Sequence, residues 1–136
     1  MPIERLGTQA TGPGGKALPF TRATRAGDYV YTSGQVPMGA DGEIVEGGIV
    51  AQTHATFANI KAILAAYGLD LSDVVKATVW LADPRDFWPF NKVYAEYFGE
   101  TLPARSCVRA DMMVDCKVEI EVIAYAGDSG QQRPHP

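Results

Sequence analysis

Alternate residues of KVEIEVIAYA, residues 117–126, divide into two sets with different needs. Successive side chains of an extended strand face opposite ways, so Val118, Ile120, Val122 and Ala124 share one face while Glu119, Glu121, Ile123 and Tyr125 share the other. The first set calls for helices over it. The second is too apolar for open water and too charged for a dry core. ARSCVRA (104–110) has the same problem, with Arg105, Cys107 and Arg109 pointing one way and Ser106 and Val108 the other. A subunit interface enclosing a wet, charged pocket accommodates both strands.

The rest of the chain supplies the cover for one face. TRATRA (21–26) and YVYTSGQV (29–36) flank Gly27-Asp28, a turn pair suited to a hairpin. GADGEIVEGG (39–48) reads as a glycine-rich loop. IVAQTHATFANIKAILAAYG (49–68) places Val50, Phe57, Ile60, Leu64 and Tyr67 on one stripe and ends on Gly68, which predicts a helix. VVKATVWLAD (74–83) is β-branched and almost continuously apolar, as a strand covered on both faces would be. A second helix is expected over FWPFNKVYAEYFG (87–99), with Pro89 in its first turn and Phe87, Phe90, Tyr94 and Phe98 turned inward. This order predicts an α/β fold with right-handed crossovers, a mixed sheet and both helices on one face. The other face has no cover from within the chain.

One domain is expected, with a folded body over about 18–126, partly irregular residues 1–17 and a flexible tail over 127–136. A net charge of -4 provides no basic stripe for phosphates or anionic lipid, so nucleic acid and membrane are not expected partners. MPIERLGTQATGPGG has no apolar leader segment, and no run approaches a membrane span, which points to the cytoplasm. Cys107 and Cys116 fit no metal-ligand spacing and read as two free thiols.

PARSCV followed by KVEIEVIAY resembles the closing signature of the reactive intermediate deaminase (Rid, YjgF-type) family, and TSGQVP (32–37) resembles its early signature. The likeness runs from about residue 18 to residue 126 and includes the NKVYAEYF segment. The resemblance implies a chorismate-mutase-like fold and a homotrimer with pockets at the subunit boundaries. It also implies hydrolysis of 2-enamino and 2-imino acids of the 2-aminoacrylate type to 2-keto acids and ammonia, without metal or cofactor.

Carried over residue by residue, the resemblance makes Arg105 the substrate-carboxylate clamp, a role that suits a planar guanidinium fork. The competing reading is an ion pair with Glu119 or Glu121. Glu119 resembles the residue that positions and activates the attacking water, the work of an enclosed carboxylate of raised pKa; a structural carboxylate bound to backbone amides is the alternative. Glu121 is assigned to the interface. Cys107 resembles the family cysteine whose backbone groups border the pocket, and neither His54 nor His135 stands as a base for its thiol. Ser33, Gly34 and Gln35 match the early signature, where close main-chain approach to a ligand favours glycine at the second position. Asn91 matches an asparagine that contacts the ligand or a neighbouring subunit, with a helix-to-loop hydrogen bond as the plainer reading.

Two stretches depart from the family pattern. LPF (18–20) stands where GPY is usual, so Phe20 can line the pocket but offers no hydroxyl. VRADMMVDC follows with Arg109, Met112 and Met113 in place of a different charge pattern and a proline-containing turn; methionines pack adaptably and suit a larger acyl chain. Two further functions compete with hydrolysis. One is a non-catalytic pocket that senses 2-keto acids. The weaker one is an endoribonuclease, which the acidic charge and the lack of a histidine acid-base pair oppose.

Overall fold

The computed structural model describes residues 2–127. The tail expected over 127–136 therefore lies, from residue 128 onward, outside the described residues. Three two-residue strands come first: β1 (Glu4–Arg5), β2 (Ala10–Thr11) and β3 (Ala17–Leu18). β2 pairs with β3 as a separate ribbon, while β1 joins the main sheet. The hairpin follows as β4 (Ala23–Ala26) and β5 (Tyr29–Thr32), with Ala26 opposite Tyr29 and Gly27 at φ +60°, the left-handed conformation that the tight turn requires.

Helix α1 spans Ile49–Ala66, and Gly68 at φ +74° ends it. No side chain caps its N-terminus, so packing must hold it. Phe57, Ile60, Ile63 and Leu64 are all 1% exposed or less. Each contributes about 1.5–3 kcal/mol by burial, against roughly 1 kcal/mol for a missing cap. Val50, expected on the apolar stripe, is instead 47% exposed. It lies about a quarter turn from the centre of the buried face, where Ile49, Thr53 and Thr56 take the inner positions.

Strand β6 (Val74–Leu81), helix α2 (Phe87–Phe98), strand β7 (Ala104–Arg109) and strand β8 (Val118–Tyr125) complete the chain. The main sheet has the order β1-β4-β5-β8-β6-β7. β6 runs parallel to β7 and antiparallel to β8, so the sheet is mixed. Ala77, Val79 and Leu81 face Val122, Ile120 and Val118 across that ladder, and all six are 3% exposed or less. This is the face on which α1 and α2 pack, and Phe57 stacks on Tyr97 at 4.3 Å between ring centroids where the helices meet. Among the described residues nothing covers the other face of β6, as the placement of both helices on one face of the sheet implies. Val75 is 44% exposed, and Thr78 and Trp80 alternate with the buried residues at intermediate exposure. Continuous apolar character here reflects β-branched residues facing outward. Among the described residues, no helix is long and apolar enough to cross a membrane.

Candidate active site

Two side-chain amides of α1 hold the loops beside Glu119. Asn59 Nδ2 donates to the carbonyls of Val36 and Met38, each at 3.0 Å. Buried Gln52 donates through Nε2 to Val45 and accepts from the Lys117 N–H at 2.8 Å, joining the loop before α1 to the start of β8. Residues 34–36 consequently run beside β8, where Gln35 and Ile120 exchange both backbone hydrogen bonds, at 2.7 and 3.0 Å. That pairing presses Gly34 against Glu119. A β-carbon at position 34 would sit 2.9 Å from Glu119 Cδ and closer still to Oε2. Glycine is required here to admit the carboxylate. The sequence reading assigned it instead to main-chain approach by a ligand.

Glu119 borders a cavity of about 420 Å³ whose other walls include Leu18, Phe20, Gly34, Gln35, Met38 and Met113. Burial, followed by repulsion from Glu121, raises the Glu119 pKa above the ordinary glutamate value. A carboxyl in that condition can take a proton from water and return it within one reaction cycle. Ser33 does not turn its hydroxyl toward this space: Oγ donates to the Thr21 carbonyl at 2.6 Å. Gln35 lines the cavity while its side-chain amide donates to the Ser33 carbonyl at 3.2 Å.

A second group of candidate residues is on the opposite side of the sheet. β7 register pairs Arg105 with Ala77 and Cys107 with Val79, so both side chains project toward the helices. Glu119 pairs with Trp80 on the other face. Arg105 and Glu119 therefore do not meet within one chain, and the competing ion pair of Arg105 with either glutamate is not formed there. Instead, Arg105 Nη1 donates to Asn91 Oδ1 at 2.8 Å. Its guanidinium carbon lies 4.8 Å from the Tyr94 ring centroid, 5.7 Å from Phe87 and 5.8 Å from Phe90. Three rings and one amide orient the fork, and Asn91 is its one hydrogen-bond partner among the described residues. Remaining N–H donors can grip a planar anion.

Sequence reading placed Tyr94 only among inward-facing aromatics. Its hydroxyl is buried without a partner among the described residues and its pKa is pushed up to about 12, chiefly by burial, so it is a neutral shelf beneath the cation. Phe87, Phe90, Asn91 and Tyr94 follow helical spacing, a signal that could have grouped them with Arg105 once β7 was known to lie beside α2. Cys107 lines a smaller hollow of about 300 Å³ with Phe87, Trp88 and Arg109. Burial raises its thiol pKa despite the opposing effect of Arg105, so the thiol stays protonated and poorly nucleophilic. His54 is engaged elsewhere, with Nδ1 2.7 Å from the Tyr97 hydroxyl on the helix surface.

Residues 14–126 match the family model described as Endoribonuclease L-PSP. A RutC family protein of Pyrococcus horikoshii is 49% identical over 109 residues, covering 79% of this chain and 86% of the relative. The 2-iminobutanoate/2-iminopropanoate deaminase of Capra hircus is 42% identical over 111 residues, covering 80% of this chain and 81% of that protein. Among solved structures, Escherichia coli TdcF with bound serine superposes with a TM-score of 0.77 at 34% identity, covering 90% of this chain and 97% of TdcF.

Proposed function

Since the chain belongs to the YjgF/RutC-type reactive intermediate deaminase family, we propose that it is a hydrolase of C–N bonds that converts 2-imino and 2-enamino acids to 2-keto acids and ammonia. What carries this reading is the Glu119 carboxyl, held at raised pKa in the wall of a largely apolar cavity. Ionised Glu119 takes a proton from water as the water oxygen bonds to the imine carbon. That proton passes to nitrogen to give a carbinolamine; the remaining hydroxyl proton is then relayed to nitrogen through the same carboxylate, the C–N bond breaks, ammonia leaves and the oxygen is left as the keto carbonyl. Arg105 holds the substrate carboxylate through the donors that Asn91 leaves available. Phe20, Gly34 and Gln35 frame the reacting end, and the main chain at Ser33 and Cys107 borders it.

Arg105 and Glu119 belong to opposite faces of one sheet. The site is accordingly composite, with Arg105 from one copy and Glu119 from another in a chorismate-mutase-like homotrimer. The open sheet face supports such an assembly, because Tyr29, Tyr31, Val75, Val108 and Tyr125 are each at least 40% exposed there or at its margins. Two unpaired cysteines suit a reducing compartment, and we place the protein in the cytoplasm. RNA cleavage, the activity in the family model's description, is a poorer match for a chain of net charge -4.

The test is keto-acid release from an imine generated in situ by an amino-acid oxidase. Added protein should accelerate release, and Arg105→Ala should abolish the acceleration. Unchanged turnover by that variant would remove the clamp from the mechanism. Binding of 2-keto acids without turnover of any imine would favour a sensor instead.

A further inference from the structure

The cavity beside Glu119 is larger and more apolar than an alanine-sized imine requires. Its volume of about 420 Å³ falls in the range that encloses whole drug-sized ligands. Building on the deaminase reading, we propose that this cavity selects 2-imino acids with branched aliphatic or aromatic side chains, of leucine to phenylalanine size. Leu18 and Phe20 form one wall, Met38 comes from the loop held by Asn59, and Met113 and Val114 come from the segment between β7 and β8.

The polar groups around these walls are mostly engaged with the protein itself. Asn59 Nδ2 is bonded to Val36 and Met38, the Gln35 amide to Ser33, and the Ser33 hydroxyl to Thr21. Glu119, required for the chemistry, and Arg22, exposed to solvent, are the two formal charges among the described lining residues. An apolar substrate chain therefore displaces water from hydrocarbon without stranding a buried donor. Phe20 is 45% exposed and Met113 99% exposed, so both have apolar surface that such a chain would cover. Methionine is unbranched and can follow ligands of different outline.

One methylene in a hydrophobic pocket changes discrimination by about 10-fold or more. The experiment uses the intact protein and imines made in situ from alanine, leucine, phenylalanine and glutamate, with calorimetric binding of the four corresponding 2-keto acids. Leucine- and phenylalanine-derived imines should have kcat/KM at least ~10-fold above the alanine-derived one, and their keto acids should bind at least ~10-fold more tightly than pyruvate. Met113→Glu, at a fully exposed position that tolerates charge, and Phe20→Ala should each lower the leucine-to-alanine ratio severalfold. Equal or reversed ratios with active protein would overturn the inference and leave the deaminase reading standing. A preference for the glutamate-derived imine would also overturn it and make Arg22 the selecting group. Preferential binding of the larger keto acids with no imine turned over would support the ligand class while sinking the deaminase reading. Absence of both binding and turnover would overturn both.

Discussion

The carboxylate of Glu119 occupies the space that a β-carbon on residue 34 would need. Gly34 is in ordinary backbone conformation, so its glycine character comes from this contact and not from the turn. The atoms that would have to move are the end of a flexible side chain, and moving them is cheap. Gly34→Ala should therefore change thermal stability by only a few degrees while displacing the Glu119 carboxylate. A misplacement of about 1 Å can cost on the order of 100-fold in rate. Melting curves and kcat measured on the same variant check the expectation; a large stability loss with normal kcat would show the contact to be structural.

Asn91 orients Arg105 through a neutral amide acceptor, which leaves the full cationic charge for a ligand. Asn91→Ala should raise KM roughly 10-fold by freeing the fork, since an oriented hydrogen bond to a charged group contributes about 1.5–3 kcal/mol. Asn91→Asp should be worse, because a carboxylate there forms an ion pair with the guanidinium and competes with the substrate. If the aspartate variant bound 2-keto acids as well as the native chain, Arg105 would not be the anion clamp.

Burial and then Glu121 raise the Glu119 pKa, and activity and stability should respond with opposite signs. The ionised form is the proposed base, so imine hydrolysis should increase as pH rises through the raised midpoint. Stability should decrease over the same window, between the ordinary glutamate value and the raised one, because the folded chain holds that proton more tightly than the unfolded chain. Glu121→Gln should move the activity midpoint down. Glu119→Gln should flatten the stability slope, and denaturant midpoints measured across the acidic range that keep their slope in this variant would refute the assignment.

The proposed provision of Arg105 and Glu119 by two copies has a direct consequence. Arg105→Ala and Glu119→Ala chains, each inactive alone, should regain activity when unfolded together and refolded as mixed assemblies. With random mixing about a quarter of the sites receive both native residues, so roughly a quarter of native activity is expected. An inactive mixture in which co-assembly is verified would place both groups in sites that no pair of copies completes.

Much of the fold was legible because local periodicity and burial agree. The alternation of Val118, Ile120, Val122 and Ala124 with Glu119 and Glu121 is realised strand by strand. Gly27-Asp28 makes the expected turn. Val50 was misassigned because an apolar residue at the margin of a helical stripe has the same spacing as one at its centre. The open face of β6 was legible from the placement of both helices on the other side of the sheet.

Single-chain patterning determined which residue types the candidate site offers, since a guanidinium, a carboxylate and a glycine stand within short motifs whose chemistry is readable. It also determined that β8 has one apolar and one mixed face, because the period of two depends only on extended backbone. Register and packing decided the rest. Parallel pairing of β7 with β6 sends Arg105 toward α2 and its aromatic shelf, and antiparallel pairing with β8 sends Glu119 the other way. A shift of one residue in either ladder would reverse those directions without altering a letter of either motif, which is why their separation across the sheet belongs to the tertiary structure alone.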